Sequence, residues 1–260
     1  AAAGFNAELA IASLAGAGDL ATVSGLSLDD AAKAAADSLG ALGLRSADAA
    51  VQAANLTRLN DVLATTTRLA NTSVTEMTEA IGAGGNVAMS SGQSLETFGA
   101  AVAGMAANNI KGAEAGTAIR NTLAALQAPA STAARALHGL RIEVEDGQGN
   151  MRDLVDIVGD FERATAGMGE VARNNAIADI FGREGMAGFG ALLTTGSERL
   201  REMRGELQSA DGAAAGMAAT MRDTTLGDID GFTSAIDGVK TAIFGVISGP
   251  LRGLIVQLTE

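Results

Sequence analysis

The 260-residue sequence contains no cysteine, tryptophan or tyrosine, a single histidine and only two prolines. Without cysteine there is no disulfide framework, no thiol nucleophile and no cysteine-based zinc site. His138 is the sole imidazole available to a Ser/His constellation, and no Gly-x-Ser-x-Gly elbow accompanies it. On an Ala-rich helix it reads as a surface or half-buried structural residue. Aromatic residues make up 3% of the chain, which leaves no platform to hold a substrate against a carboxylate pair such as Glu143 and Glu145. No residue earns a catalytic, cofactor-binding or metal-binding assignment, and the chain reads as non-enzymatic with no cofactor.

Basic residues are also in deficit: 18 Lys and Arg face 30 Asp and Glu, for a net charge of −12. A nucleic-acid grip needs clustered cations to displace counterions from phosphates. Here the densest group, Arg199, Arg201 and Arg204, alternates with Glu198, Glu202 and Glu206 on one expected helix, a salt-laced solvated face. Specific nucleic-acid binding is therefore not expected. A long apolar run is missing too, since the most apolar stretch, residues 241–258, is interrupted by Pro250 and Arg252. A membrane-spanning helix wants about 20 predominantly apolar residues. The chain opens Ala1-Ala2-Ala3-Gly4 and closes inside an apolar pattern, so it reads as an excerpt of a longer protein.

What the sequence does have is alanine, 34 glycines and a passage present twice. Gly25-Leu26-Ser27-Leu28-Asp29 is followed by Leu44-Arg45-Ser46-Ala47-Asp48-Ala49, and Gly92-Gln93-Ser94-Leu95-Glu96 by Ile110-Lys111-Gly112-Ala113-Glu114-Ala115. The spacing is 67 residues at the start of each copy and 66 at the end. Each copy reads as a helical unit: a glycine turn, a serine cap, acids in the first turn, an Ala-rich helix and the next helix start. Buried methyls yield about 0.8 kcal/mol per carbon, so helices held by alanine alone adhere lightly and can rearrange.

The fold expected is all-α: a multi-helix, partly repeated helical bundle with one short β-hairpin near residues 141–152 and a long C-terminal helix. Residues 1–210 form the main helical region, with repeat units at about 25–91 and 92–140, the hairpin, and helices over 154–208. A hinge around 211–216 leads into a coiled-coil-like helix within 211–260. Along the chain, Leu56, Leu59 and Leu63 mark the apolar face of a helix over 47–69, with Arg58, Asn60, Asp61 and Arg68 on much of its other side. Ser73 with Glu76 is a capping box, and Gly82 to Gly85 weaken or end the helix that follows. Further helices are expected over 94–107, 113–126, 131–140, 154–164, 169–181 and 184–193, with Ser197 capping another. Alternation in Arg141-Ile142-Glu143-Val144-Glu145 followed by Asp146-Gly147-Gln148-Gly149-Asn150 suggests the hairpin. Ile229, Phe232, Ile236, Val239, Ile243 and Val246 form a coiled-coil-like seam.

The glycines do not form a phosphate loop, because no Gly-x4-Gly-Lys-Ser/Thr or strand-borne Gly-x-Gly-x-x-Gly is present. The 146–150 segment and Asp228-Ile229-Asp230-Gly231 offer oxygens but lack the register of a calcium loop.

Three ordered passages resemble the core region of the phage tail tape measure protein family. They are the residues from Asn109 to Arg120, Asp146-Gly147-Gln148-Gly149-Asn150-Met151-Arg152 leading into Leu154, and Ala178-Asp179-Ile180-Phe181-Gly182-Arg183-Glu184-Gly185. Asp153 departs from the family, which often has proline there, and is expected only to loosen the hairpin exit. The resemblance implies a non-enzymatic virion component lying inside the tail tube and present in the host cytoplasm during assembly. It would set tube length with the help of tail assembly chaperones and leave ahead of DNA at ejection. Its implied partners are the tail tube protein, the tail-tip or baseplate proteins and further copies of itself, a trimer being suspected. Host membrane contact during ejection is a further implication, and the alternatives are a membrane-active, pore-forming helical protein, inserting helices at 97–107 and 236–251, or a generic helical scaffold.

Overall fold

The computed structural model describes residues 7–223. The chain divides into two compact units, Ala1–Met217 and Ala218–Glu260, the first holding nearly all described residues. The seam at Ile229 to Val246 and the acids at Asp228 and Asp230 lie outside the described residues.

All regular structure among the described residues is helical. Helices α1 (Ala7–Ser24), α2 (Leu28–Ala41) and α3 (Ala49–Leu69) pack on one another. Next come α4 (Val74–Ala80), a π-helical turn at Ile81–Gly85 and α5 (Asn86–Ser90), which follow one another without a break. The expected weakening at Gly82 to Gly85 is thus a change of helix type, not an end. Helix α6 (Leu95–Ala106) is buried at every residue and is surrounded by α3, α9 and the long helices α7 (Gly112–Gln127), α10 (Glu170–Thr195) and α11 (Ser197–Gln208). Apart from Glu96 and Thr97, whose side chains are bonded to Arg58 and Asp153, this helix is apolar or small-residued all round, and it is the axis of the bundle. Helix α8 (Ser131–Leu140) and α9 (Leu154–Thr165) complete the unit, and α12 (Ala213–Arg222) follows a turn at Gly212.

Local signals explain most of the helix starts. Gly25 and Gly92 take positive φ values of 70° and 76°, which only glycine adopts cheaply, and two residues later Ser27 and Ser94 cap α2 and α6. Beyond that shared joint the two passages differ: Asp48 caps α3 through its carboxylate, whereas Lys111 precedes α7 without a side-chain cap. The Ser73–Glu76 capping box is formed reciprocally.

Four expectations are corrected. The β-hairpin near 141–152 does not form strands; Glu145 and Met151 make one isolated antiparallel bridge. Two backbone bonds, Asp146 N–H to the Asn150 carbonyl and Arg152 N–H to the Val144 carbonyl, both 2.8 Å, leave too short a ladder to be a strand pair. The alternation still places residues correctly, with Ile142 buried and Glu143 and Glu145 exposed. Asn60 and Asp61, expected on the solvated side of α3, are buried, because α3 is enclosed by neighbouring helices. Asn60 Nδ2 donates to the Gly16 carbonyl, and the Asp61 carboxylate accepts from the backbone N–H groups of Gly212 (3.0 Å) and Ala214 (2.9 Å). Ser197 does not cap α11; its backbone and hydroxyl both donate to Glu162 of α9. Finally, the core is not alanine alone, since Phe98, Phe161, Phe189 and a set of Leu, Ile and Met side chains are fully buried.

Candidate functional site

The three passages that carry the family resemblance all become joints between helices. In the first, Asn109 and Gly112 hold positive φ values of 63° and 56°, turning the chain out of α6 and into α7. One helical turn later Gly116 meets the π-helical turn backbone to backbone. A Cβ on Gly116 would lie 2.1 Å from the Ala80 carbonyl oxygen, and one on Gly84 would lie 2.2 Å from the Gly116 carbonyl oxygen. Only hydrogen fits at either position. A further turn along, Arg120 Nη1 donates to the Ala83 carbonyl inside the π-helical turn at 3.2 Å. The π turn contains one more residue per hydrogen-bonded loop than α-helix does, and Arg120 supplies a donor to its irregular backbone.

The second passage is a self-bonded turn tied to the bundle axis. Asp146 Oδ1 accepts from the backbone N–H groups of Gln148 (2.8 Å) and Asn150 (2.9 Å), while Gly149 takes φ 82°. The Asn150 backbone and side chain, with Gln148, hold the Asp146 carboxyl below its ordinary pKa. These donors satisfy the oxygens that would otherwise suggest a cation loop. Arg152 Nη1 donates to the Glu143 carbonyl and to Asp160, each at 2.6 Å. Asp153 caps α9 through the Val155 N–H (2.9 Å), accepts from the Thr97 hydroxyl (2.5 Å) and pairs with Arg204 (2.7 Å). The substitution of aspartate for the family's frequent proline therefore adds a cap and two ties, and the expectation of a merely looser exit is corrected. Gln93 closes the joint: its Nε2 donates to the Arg152 carbonyl at 3.1 Å and its Oε1 accepts from the Leu154 N–H at 2.8 Å.

In the third passage Gly182 breaks α10 with φ 70° and ψ 173°, so the two helices expected over 169–181 and 184–193 meet at a kink. The kink brings Phe181 onto Phe189, with ring centroids 4.0 Å apart, and Phe161 of α9 stands edge-on to Phe189 at 5.1 Å. Such arrangements are favourable for aromatic quadrupoles.

Groups considered for chemistry lie elsewhere and apart. His138 is exposed on α8. The α11 charges are only partly a solvated face: Arg199 pairs with Glu202 at 2.9 Å, but Arg201 and Arg204 reach Asp156 and Asp153 around α9. A cleft of 580 Å³ beside α10, lined by Asn108, Ile110, Arg173, Ile177, Met186 and Thr194, presents one guanidinium and no acid–base pair. Among the described residues no helix is long and apolar enough to cross a membrane; of the segments expected to insert under the pore-forming alternative, residues 97–106 belong to the buried α6 and 236–251 lie outside the described residues. Sequence reading missed Gln93, Thr97, Asp61, Glu162 and Arg120. Gln93 stands between the glycine and serine of a repeated joint and Arg120 closes the first resembling passage, but the partner of neither is visible in the sequence.

Together these passages build helix-to-helix geometry, the hallmark of a packing module. The chain belongs to the phage-related minor tail protein family, which residues 1–182 match. Over all 260 residues it is 32% identical to the tape measure protein of Pneumococcus phage Dp-1. Over 207 residues, 78% of the chain, it is 30% identical to the probable tape measure protein of Escherichia phage P2. The chain covers 22% and 25% of those relatives' lengths. No solved structure matches it.

Proposed function

We propose that the chain is a structural, non-catalytic segment of a tape measure protein, carried in the virion inside the tail tube and in the host cytoplasm during assembly. The observation that carries this reading is the similarity, along all 260 residues of the chain, to 22% of the Dp-1 tape measure protein. In this role the parent protein sets tube length during assembly, with tail chaperones covering it and the tube and tail-tip proteins contacting it. It acts in several copies and leaves ahead of the DNA, and the net charge of −12 keeps it from holding phosphates. The repeated glycine–serine joints at Gly25 and Gly92 support a ruler assembled from related helical units.

A compact bundle and an extended ruler are different states of one chain. Fully extended as helix, 260 residues would span about 390 Å at about 1.5 Å per residue. Deleting residues 27–93 from the full-length gene and measuring tails by electron microscopy tests the reading. Removal of 67 residues from an extended helical ruler shortens tails by about 100 Å. Normal assembly with unchanged tail length removes this segment from the measuring region.

A further inference from the structure

Three arginines converge on one cleft in a chain that is otherwise strongly acidic. Arg141, Arg152 and Arg163, with Leu140, Glu143, Asp160 and Ala164, line a shallow cleft of 470 Å³ between the end of α8, the 141–152 turn and α9. The three cations face two carboxylates. Asp160 already serves two of them, accepting from Arg152 at 2.6 Å and pairing with Arg163. Arg152 is further fixed by the Glu143 carbonyl, and its side chain is 29% exposed, whereas that of Arg163 is 69% exposed. The Arg141 guanidinium has no hydrogen-bonded or ionic partner among the described residues. Its backbone is held in the left-handed region, φ 57° and ψ 39°, where it ends α8 by donating to the His138 carbonyl at 3.0 Å. Non-glycine residues adopt that region at a cost, so the fold fixes where this side chain leaves the chain.

We propose that this cleft is a docking site for an acidic segment of a partner protein, whose carboxylates are gripped by Arg141 and Arg163 above a fixed Arg152. Asp160 shows the chemistry from within: a carboxylate seated between two guanidiniums, the pairing for which the planar guanidinium fork is suited. The cleft has room for one or two carboxylate side chains and not for a duplex, and its three guanidiniums outnumber its two carboxylates, so the local field favours an anion although the chain as a whole is acidic. This inference does not depend on the tape measure reading, because binding is measured on the chain itself.

The test uses the whole 260-residue chain and a fluorescein-labelled octaglutamate peptide, with octaglutamine as control, followed by fluorescence anisotropy at low and physiological salt. Octaglutamate binds and octaglutamine does not. The double variant Arg141→Gln/Arg163→Gln weakens binding about five- to tenfold, as expected for two exposed charge pairs. Lys33→Gln/Arg173→Gln makes the same change in net charge at exposed positions outside the cleft, and stays within about twofold of the parent. Equal losses in the two double variants, or no loss in the first, overturn the proposal. So does tighter binding of a single-stranded oligonucleotide through the same two arginines. If Arg141→Gln/Arg163→Gln lowers the melting temperature, Arg141→Lys/Arg163→Lys replaces it, with a smaller but measurable loss expected and parity overturning the proposal.

Discussion

Two parts of the bundle reach tight packing by opposite means. At the crossing of α7 with α4 and its π-helical turn, Gly116 and Gly84 bring backbones together with no side chain between them. At the junction of α9 with α10, three phenylalanine rings fill the space, and Phe161 and Phe189 are 1% and 0% exposed. The first contact stabilises through many short-range dispersion contacts and tolerates no added atom. The second stabilises through removal of large apolar surface from water and tolerates no lost atom. Among the described residues three of the four phenylalanines thus stand where a kinked helix has to be anchored, while glycine sets the helix spacing at the crossing of α7 with α4.

The comparison makes opposite demands on substitution. Phe161→Ala is expected to have the largest effect, a loss of about 3–5 kcal/mol measured by chemical denaturation, since it removes a fully enclosed ring and leaves a cavity. Gly116→Ala adds one methyl group against a carbonyl and is expected to cost about 1–3 kcal/mol. Hydrogen exchange should rise in residues 74–90 before it rises around Phe189. If Gly116→Ala were neutral, the backbone crossing would be softer than its geometry implies, and the contrast between the regions would fail. Ser94→Ala, at the joint leading into the central helix, should cost about 1 kcal/mol through the lost Thr97 N–H bond.

A further prediction concerns acid. Burial pushes the Glu96 carboxyl up, but the hydrogen bond from Arg58, the backbone N–H of Glu96 and the Arg58 charge outweigh it, so the net pKa is lowered. Arg58 grips it in a two-pronged pair at 2.7 and 2.6 Å, linking α3 to α6. A carboxylate whose pKa is lowered by folding contributes stability above its unfolded value, about 4.3, and loses that contribution as pH falls through the lowered folded value. Glu96→Gln should therefore be less stable than the parent at neutral pH, and the gap should narrow below about pH 4.3. Thermal melts across that range check it. A gap independent of pH would assign the effect to shape instead of charge. Arg58 is half exposed, which makes this the smallest of the expected effects.

Much of the helix pattern is legible in the sequence because its causes are local. Serine and aspartate caps at Ser27, Asp48, Ser73 and Ser94 act within three residues, and the break at Gly182 needs only a positive φ. The 141–152 segment misleads because alternation and turn residues specify a reversal without specifying how far pairing extends. Asn60 and Asp61 mislead because polarity predicts exposure only when nothing nearby offers partners, and Gly16, Gly212 and Ala214 come from distant positions. The ties at Gln93 and Asp153 are invisible for the same reason, since each links residues more than fifty positions apart.

By itself the sequence determined that this would be an acidic, cysteine-free, helical chain with capped starts and glycine breaks, and its ordered passages pointed to the tail protein family. The tertiary structure alone decided what those passages are for. Gly116 sits on Ala80 and Gly84, Gln93 and Thr97 hold the turn at 146–154, and Phe181 folds back on Phe189. Capping and backbone conformation are short-range and written in neighbouring residues. Close approach, ion pairing and ring contact depend on which helices the whole chain brings together.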